Sequence, residues 1–171
     1  MKIINFFGGP GTGKSTTAAR LFSDMKVTGV NCELVTEYAK EMVWEDRHNI
    51  FQDQLYLLAK QNRKLLRLQN KVDYVLTDSP ILLNTIYMVE NGYEQTLNQL
   101  ILEVFNSYDN INILLNRTHE YQEVGRYQTE QQSDELSSDI KKLLQLHNVP
   151  FVEYDCNKIN FQLIEELIKL S

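Results

Sequence analysis

The feature that most limits what this chain can be is a short run near its start, Gly8-Gly9-Pro10-Gly11-Thr12-Gly13-Lys14-Ser15. It fits the pattern G-x-x-x-x-G-K-[ST] at every fixed position. It follows a short apolar segment, Lys2 to Phe7 (KIINFF). It precedes a segment with helical spacing, Ser15 to Met25, in which Ala18, Leu21, Phe22 and Met25 share one side. A strand that enters a glycine-rich loop and leaves as a helix surrounds an anion with backbone N–H groups. It also turns the positive end of the helix toward that anion. Side chains would obstruct so close an approach, and glycine accepts the unusual dihedrals. Four of the seven glycines in the chain lie in this run, so glycine is concentrated where backbone is expected to meet a ligand. Gly8, Gly9, Pro10, Gly11, Thr12, Gly13, Lys14, Ser15 and Thr16 are therefore expected to cradle the phosphates of a nucleoside triphosphate. Lys14 should reach the outer phosphates, and the Ser15 hydroxyl should ligate magnesium (Mg2+).

Beyond the loop the pattern alternates. Asn31 to Thr36 reads as a strand, Glu37 to Glu45 as a helix, and Ile50 to Asn70 as one long helix with Phe51, Leu55, Leu58 and Leu65 in a stripe. Asp73 to Thr77 is a third strand, stopped by Asp78-Ser79-Pro80. Helical material follows over Ile81 to Glu90 and Glu94 to Phe105, broken at Asn91-Gly92. Ile111 to Leu115 is a fourth strand, and Asn116 to Gln128 is polar and aperiodic. Thr129 can cap the next helix with Gln132 as its capping-box partner. Val149 to Tyr154 is a fifth strand and Ile159 to Leu170 a closing helix. Continuous apolar strands separated by helices imply an α/β three-layer sandwich, a five-stranded parallel sheet covered on both faces with right-handed crossovers. The 171 residues suit a single domain over 1–171, with a lid segment at about 116–128.

Composition narrows the partners. A formal net charge of -6 gives no electrostatic footprint for tight non-specific nucleic-acid binding. The two cysteines, Cys32 and Cys156, lie far apart, outside any metal-type spacing, and read as reduced thiols. The apolar run Ile3 to Phe7 is too short for a secretory signal, and no stretch approaches a membrane span. The expected location is cytoplasmic, the host cytoplasm if the chain is phage-encoded. A homo-oligomer is compatible with the sequence.

Two carboxylates stand where ligands of an open parallel sheet lie, beyond the carboxyl ends of strands. Asp78 ends the third strand and is the candidate magnesium ligand across from the loop; the plain alternative is a cap for the helix begun at Pro80. Glu37 ends the second strand and could accept the proton of an attacking hydroxyl or hold a sugar hydroxyl; the alternative is a first-turn Glu favoured by the helix dipole. Arg117 and Arg126, in the polar segment with Glu123 and Gly125, suit a flap that neutralises charge developing on a triphosphate. Arg47, Gln54 and Gln61 recur every seven residues and would line one stripe of the long helix beside the apolar one; facing the cleft, its amides would read a base or sugar, and the alternative is a solvated face. Tyr38 and Trp44 are candidate stacking residues near the acceptor. Asn70-Lys71-Val72-Asp73 matches the N-K-x-D signature for guanine. It precedes the third strand rather than following a later one, and no D-x-x-G accompanies it, so it reads as a helix end entering a strand.

Taken together, Gly8 to Thr16, Thr36-Glu37-Tyr38-Ala39-Lys40-Glu41, Asp78 and Gly125-Arg126 resemble the P-loop NTPases of the nucleoside and nucleotide kinase type. The group is typified by the ribosylnicotinamide kinase domain of bacterial NAD-biosynthesis regulators. Small phage-encoded P-loop proteins look similar, and deoxynucleoside and thymidylate kinases are more distant. The resemblance covers roughly Ile3 to Val152. It implies ATP, magnesium and an acceptor hydroxyl near Glu37 and Asp78, hence transfer of the γ-phosphoryl group to a small nucleoside-like or nucleotide acceptor. A kinase acting on hydroxymethylated bases in DNA or on polynucleotides, and a P-loop ATPase or switch acting on a protein partner, are the rival expectations.

Overall fold

Alternation along the first strand decides the layering. In β1 (Lys2–Phe7), Ile3 and Phe7 enter one apolar cluster while Ile4 and Phe6 enter another, and all four are buried. A strand buried on both faces needs helices above and below it. The computed structural model describes residues 1–88, 92–122 and 128–170. Its elements run β1, α1 (Lys14–Val27), β2 (Cys32–Val35), α2 (Tyr38–Trp44), a 3-10 helix (His48–Gln52), α3 (Gln54–Leu66), β3 (Tyr74–Thr77) and a second 3-10 helix (Ile81–Thr85). They continue with α4 (Glu94–Asn106), β4 (Asp109–Asn116), α5 (Glu130–Leu146), β5 (Val152–Asp155) and α6 (Phe161–Leu170). The five strands form one sheet in the order β2-β3-β1-β4-β5, every pairing parallel. This is the expected α/β sandwich.

Two cores fill the layers. One joins Ile3 and Phe7 to Leu58 and Leu65 of α3, Ile101 and Phe105 of α4, and Ile140 and Leu144 of α5. The other joins Ile4 and Phe6 to Ala18, Leu21 and Met25 of α1 and Ile164 of α6. The chain leaves β1 for one face through α1 and leaves β3 for the other through α4, so a crevice opens between the carboxyl ends of these neighbouring strands. Such a crevice is where open α/β sheets bind ligands. Inside the first core one polar cluster is satisfied internally. The Asn5 amide donates to Asn110 Oδ1 at 2.9 Å and Asn112 Oδ1 at 3.0 Å, and Asn112 donates to the Pro150 carbonyl at 3.0 Å.

Several elements differ from the sequence expectation, β5 among them, which begins at Val152 rather than Val149. The long helix over Ile50 to Asn70 is two pieces, because Asp53 stops the 3-10 helix and caps α3, its side chain accepting from the Tyr56 N–H at 2.9 Å. Asn70 ends that stretch with φ 62, a left-handed turn residue, which accounts for the N-K-x-D look-alike as a helix end. The helical segment from Ile81 gives only a 3-10 helix among the described residues. Ile81, Leu82 and Leu83 are consecutive and all buried, and three neighbours cannot share one face of an α-helix. Asn84 and Thr85 then donate back to the Ile81 and Leu82 carbonyls, both at 2.7 Å. β4 begins at Asp109 rather than Ile111, since the Lys2–Asp109 ion pair at 3.0 Å and the asparagine cluster hold its polar start in register with β1.

Candidate active site

The phosphate loop sits where β1 ends and α1 begins. Gly8, Gly11 and Gly13 adopt φ of 143, 77 and 91, which an L side chain rarely tolerates. Thr12 is buried and its hydroxyl donates to the Gly9 carbonyl at 2.9 Å, closing the turn from inside. Lys14 curls over the loop and donates to the Gly8 and Gly9 carbonyls at 2.7 and 2.9 Å. α1 carries no side-chain cap and no acidic residue in its first turn, so no carboxylate of its own competes for its leading N–H groups. Ser15 and Thr16 are exposed on that first turn.

Asp78 follows β3 immediately and is only 5% exposed. Its Oδ1 is buried without a hydrogen-bond partner. It does not cap the helix after it: that N-cap is Pro80, and the Ser79 N–H goes to the Thr77 hydroxyl at 3.1 Å. Glu37 lies two residues beyond β2, in extended backbone with φ -61 and ψ 121, at the N-cap of α2. Its side chain makes no capping hydrogen bond to that helix. Burial pushes the Glu37 carboxyl above its ordinary 4.5; the Lys14 ammonium pulls it down, and the Asp78 carboxylate pushes it up again. The ends of β1, β2 and β3 thus bring Lys14, Glu37 and Asp78 into one electrostatic unit.

The remaining expected residues divide. Arg117 follows β4 directly, and its guanidinium pairs with Asp134 at 2.6 Å and Glu130 at 3.1 Å, both from α5. It stands 5.1 Å from the centre of the Tyr121 ring, and its Nη1 is buried without a hydrogen-bond partner. Arg126, with Glu123 and Gly125, lies outside the described residues. Arg47 precedes the first 3-10 helix and pairs with Glu45 at 3.3 Å, so it shares no stripe with Gln54 and Gln61. Gln61 is 3% exposed and spends its amide on backbone, accepting from the Tyr38 N–H at 3.0 Å and donating to the Ser79 carbonyl at 3.3 Å. It ties the loops that carry Glu37 and Asp78 rather than reading a base. Tyr38 meets Tyr56, hydroxyl to hydroxyl at 3.0 Å and ring edge to face at 6.0 Å. Trp44 is 76% exposed at the end of α2.

Sequence reasoning missed Tyr87. The residue as a whole is 43% exposed, while its phenol is pushed up to about 12, first by burial and then by the Glu37 charge. No spacing rule leads to it, because it lies beyond a 3-10 helix rather than on a periodic face. Among the described residues no group of three or more His, Cys, Asp or Glu could hold a metal. A cation here would depend on hydroxyl and carboxylate oxygens together with those of a ligand, the usual habit of magnesium. No helix among the described residues is long and apolar enough to cross a membrane.

A parallel sheet with a lysine-bearing phosphate loop after its central strand, and carboxylates beyond the two strands on one side of it, defines a P-loop protein of the nucleoside kinase-like fold. Solved structures agree on that architecture. The chain is similar to the NadR protein in complex with NR, at 17% identity, TM-score 0.73, over 99% of this chain and 51% of that one. It is similar to deoxyadenosine kinase from M. mycoides with bound dATP, at 21% identity, TM-score 0.59, over 99% and 100% of the two chains. It is also similar to thymidylate kinase from Candida albicans, at 14% identity, TM-score 0.61, over 98% and 91%. The chain spans about half the length of the NadR chain it matches, and at these identities the likeness is one of fold. No curated protein matches the chain. Over residues 3–159 the sequence matches a family model, and the chain belongs to that family, AAA_28, an AAA domain.

Proposed function

We propose that this protein is a Mg-ATP-dependent phosphotransferase that moves the γ-phosphoryl group of ATP to a hydroxyl of a nucleoside-like or nucleotide acceptor. The observation that carries this reading is that Lys14, after β1, and Asp78, after β3, both act on the charge of the buried Glu37 carboxyl after β2. The loop amides and Lys14 bind and orient the triphosphate, and phosphoryl transfer needs mainly such orientation and charge neutralisation. Glu37 accepts the proton of the acceptor hydroxyl as the new O–P bond forms and the bond between the β- and γ-phosphates breaks, leaving ADP. Burial makes its carboxylate a better base than an ordinary glutamate, which suits that task.

Magnesium fits the residues present. A carboxylate oxygen of Asp78, buried and without a donor, suits a cation, and the Ser15 hydroxyl would share it. When bound, the ion would neutralise charge on the phosphates. Arg117, held here by Glu130 and Asp134 with its Nη1 without a hydrogen-bond partner, belongs to the same proposal as the first cation after β4, and Arg126 from sequence alone. The NadR, deoxyadenosine kinase and thymidylate kinase neighbours support an acceptor of the nucleoside or nucleotide class.

The test is ATP turnover with labelled γ-phosphate against nucleosides, nucleoside monophosphates, nicotinamide riboside and hydroxymethylated DNA. Label transfer to a small acceptor is expected. Turnover that no acceptor increases and a protein partner does would replace the kinase by a switch. Label appearing only in DNA, with steep salt dependence, would make it a polynucleotide kinase.

A further inference from the structure

Position 9 is one that the phosphate-loop pattern leaves open. Gly9 is not among the glycines at positive φ, so its own backbone does not demand glycine. A Cβ there would nonetheless run into the Ser133 carbonyl oxygen and come within 2.6 Å of the Ser137 hydroxyl. The approach of α5 is by itself enough to require glycine here.

That approach is bonded on both sides. The Gly9 N–H donates to Ser137 Oγ at 3.0 Å, and the Ser137 hydroxyl donates to the Ser133 carbonyl at 3.0 Å. The Ser133 hydroxyl donates to the Pro10 carbonyl at 2.5 Å. Ser133 is fully buried. Serine is a weak choice for a helix interior, since its hydroxyl competes for backbone. Here two serines sit one turn apart, each bonded to the same loop corner. The same stripe carries Glu130 and Asp134, the two carboxylates that grip Arg117. Positions 130, 133, 134 and 137 follow the spacing that puts side chains on one helical face. Two turns of α5 therefore hold both the Gly9–Pro10 corner and the first arginine after β4.

We propose that Ser133 and Ser137 are positioning residues for the phosphoryl donor. They fix the Gly9–Pro10 corner of the phosphate loop and, through the shared face of α5, set where Arg117 stands relative to the triphosphate. The proposal rests on the reading of Gly8 to Thr16 as a triphosphate site.

The experiment compares the full chain with Ser137→Ala, Ser133→Ala, Ser137→Thr and Gly9→Ala, reading the Kd for ATP by calorimetry and thermal unfolding in parallel. Ser137→Ala strands the Gly9 N–H and should weaken ATP binding about five- to tenfold, the worth of one hydrogen bond. Its melting temperature should fall by only about 2–6 °C, leaving the chain folded at the assay temperature. Ser137→Thr keeps the hydroxyl and should return affinity to within about twofold. Gly9→Ala must push α5 away and should weaken binding more than Ser137→Ala does. Affinities unchanged in both alanine variants of the serines would overturn the proposal while leaving the nucleotide site intact. If Ser133→Ala fails to fold, Ser137→Ala against Ser137→Thr decides alone. A parent chain that binds no ATP would instead remove the proposed function and this proposal with it.

Discussion

The two halves of the cleft are built in different ways. In the proposed reading the donor half is one continuous stretch, β1, loop and α1, whose contacts come largely from backbone and from glycines at positive φ. The acceptor half is assembled from separated pieces: Glu37 beyond β2, Tyr38 and Tyr56 from α2 and α3, Gln61 bridging, Asp78 beyond β3 and Tyr87 after a 3-10 helix. Its side chains are held by one another. Lys64 alone pairs with Glu41 and donates to the Thr36 carbonyl at 3.1 Å, while its ammonium lies 5.6 Å from the Tyr38 ring centre. A phosphate is the same in every nucleotide and can be met by main chain. An acceptor differs from one enzyme to the next and has to be met by side chains.

The strongest way to break this contrast is Lys14→Ala. Initial rates with labelled ATP should fall by about 10²–10³, the scale of one preorganised donor to transition-state charge. Full activity in that variant would mean that the donor half is not where transfer happens. Next comes Glu37→Gln, which should lower the rate by about 10² and remove the acid limb of the pH profile. In the parent chain that limb should lie above the ordinary 4.5, because the folded carboxyl is raised. The sign for stability runs the other way from an ion-paired acid. Above the ordinary value and below the raised one, the native state holds the Glu37 proton more tightly than the unfolded chain does. Its contribution to stability therefore falls as pH rises through that window, and urea midpoints for Glu37→Gln should lose this slope. The smallest effect is expected from Asp53→Ala, which removes the cap of α3 and should cost about 1 kcal/mol by denaturant titration. ATP affinity should not follow it, since that cap serves the acceptor half alone.

The same contrast explains what could be read from sequence. The loop, the alternating elements and the positions of Asp78 and Glu37 at strand ends all follow from local order, and local order is what a sequence displays. The break at Asp53 was hidden because Phe51, Leu55 and Leu58 keep a helical rhythm across it, while a single carboxylate capping Tyr56 decides the boundary. Gln61 looked like a base-reading amide because nothing local reveals that two loops need its oxygen and nitrogen. Gly9 looked like every other loop glycine. Only the arrival of α5, more than a hundred residues later in the chain, gives it a separate reason.

The asparagines of the inner strands have a consequence of their own. Asn5 meets Asn110 and Asn112 only when β1 and β4 are aligned as they are, Asn5 opposite Asn112. Slipping the pair by one residue would turn Asn5 toward the greasy layer under α1 and leave its amide stranded, at about 1–3 kcal/mol for each orphaned group. An all-apolar sheet would tolerate several alignments almost equally. These amides act as a key cut for a single one, and so fix the height at which the central strand delivers its phosphate loop.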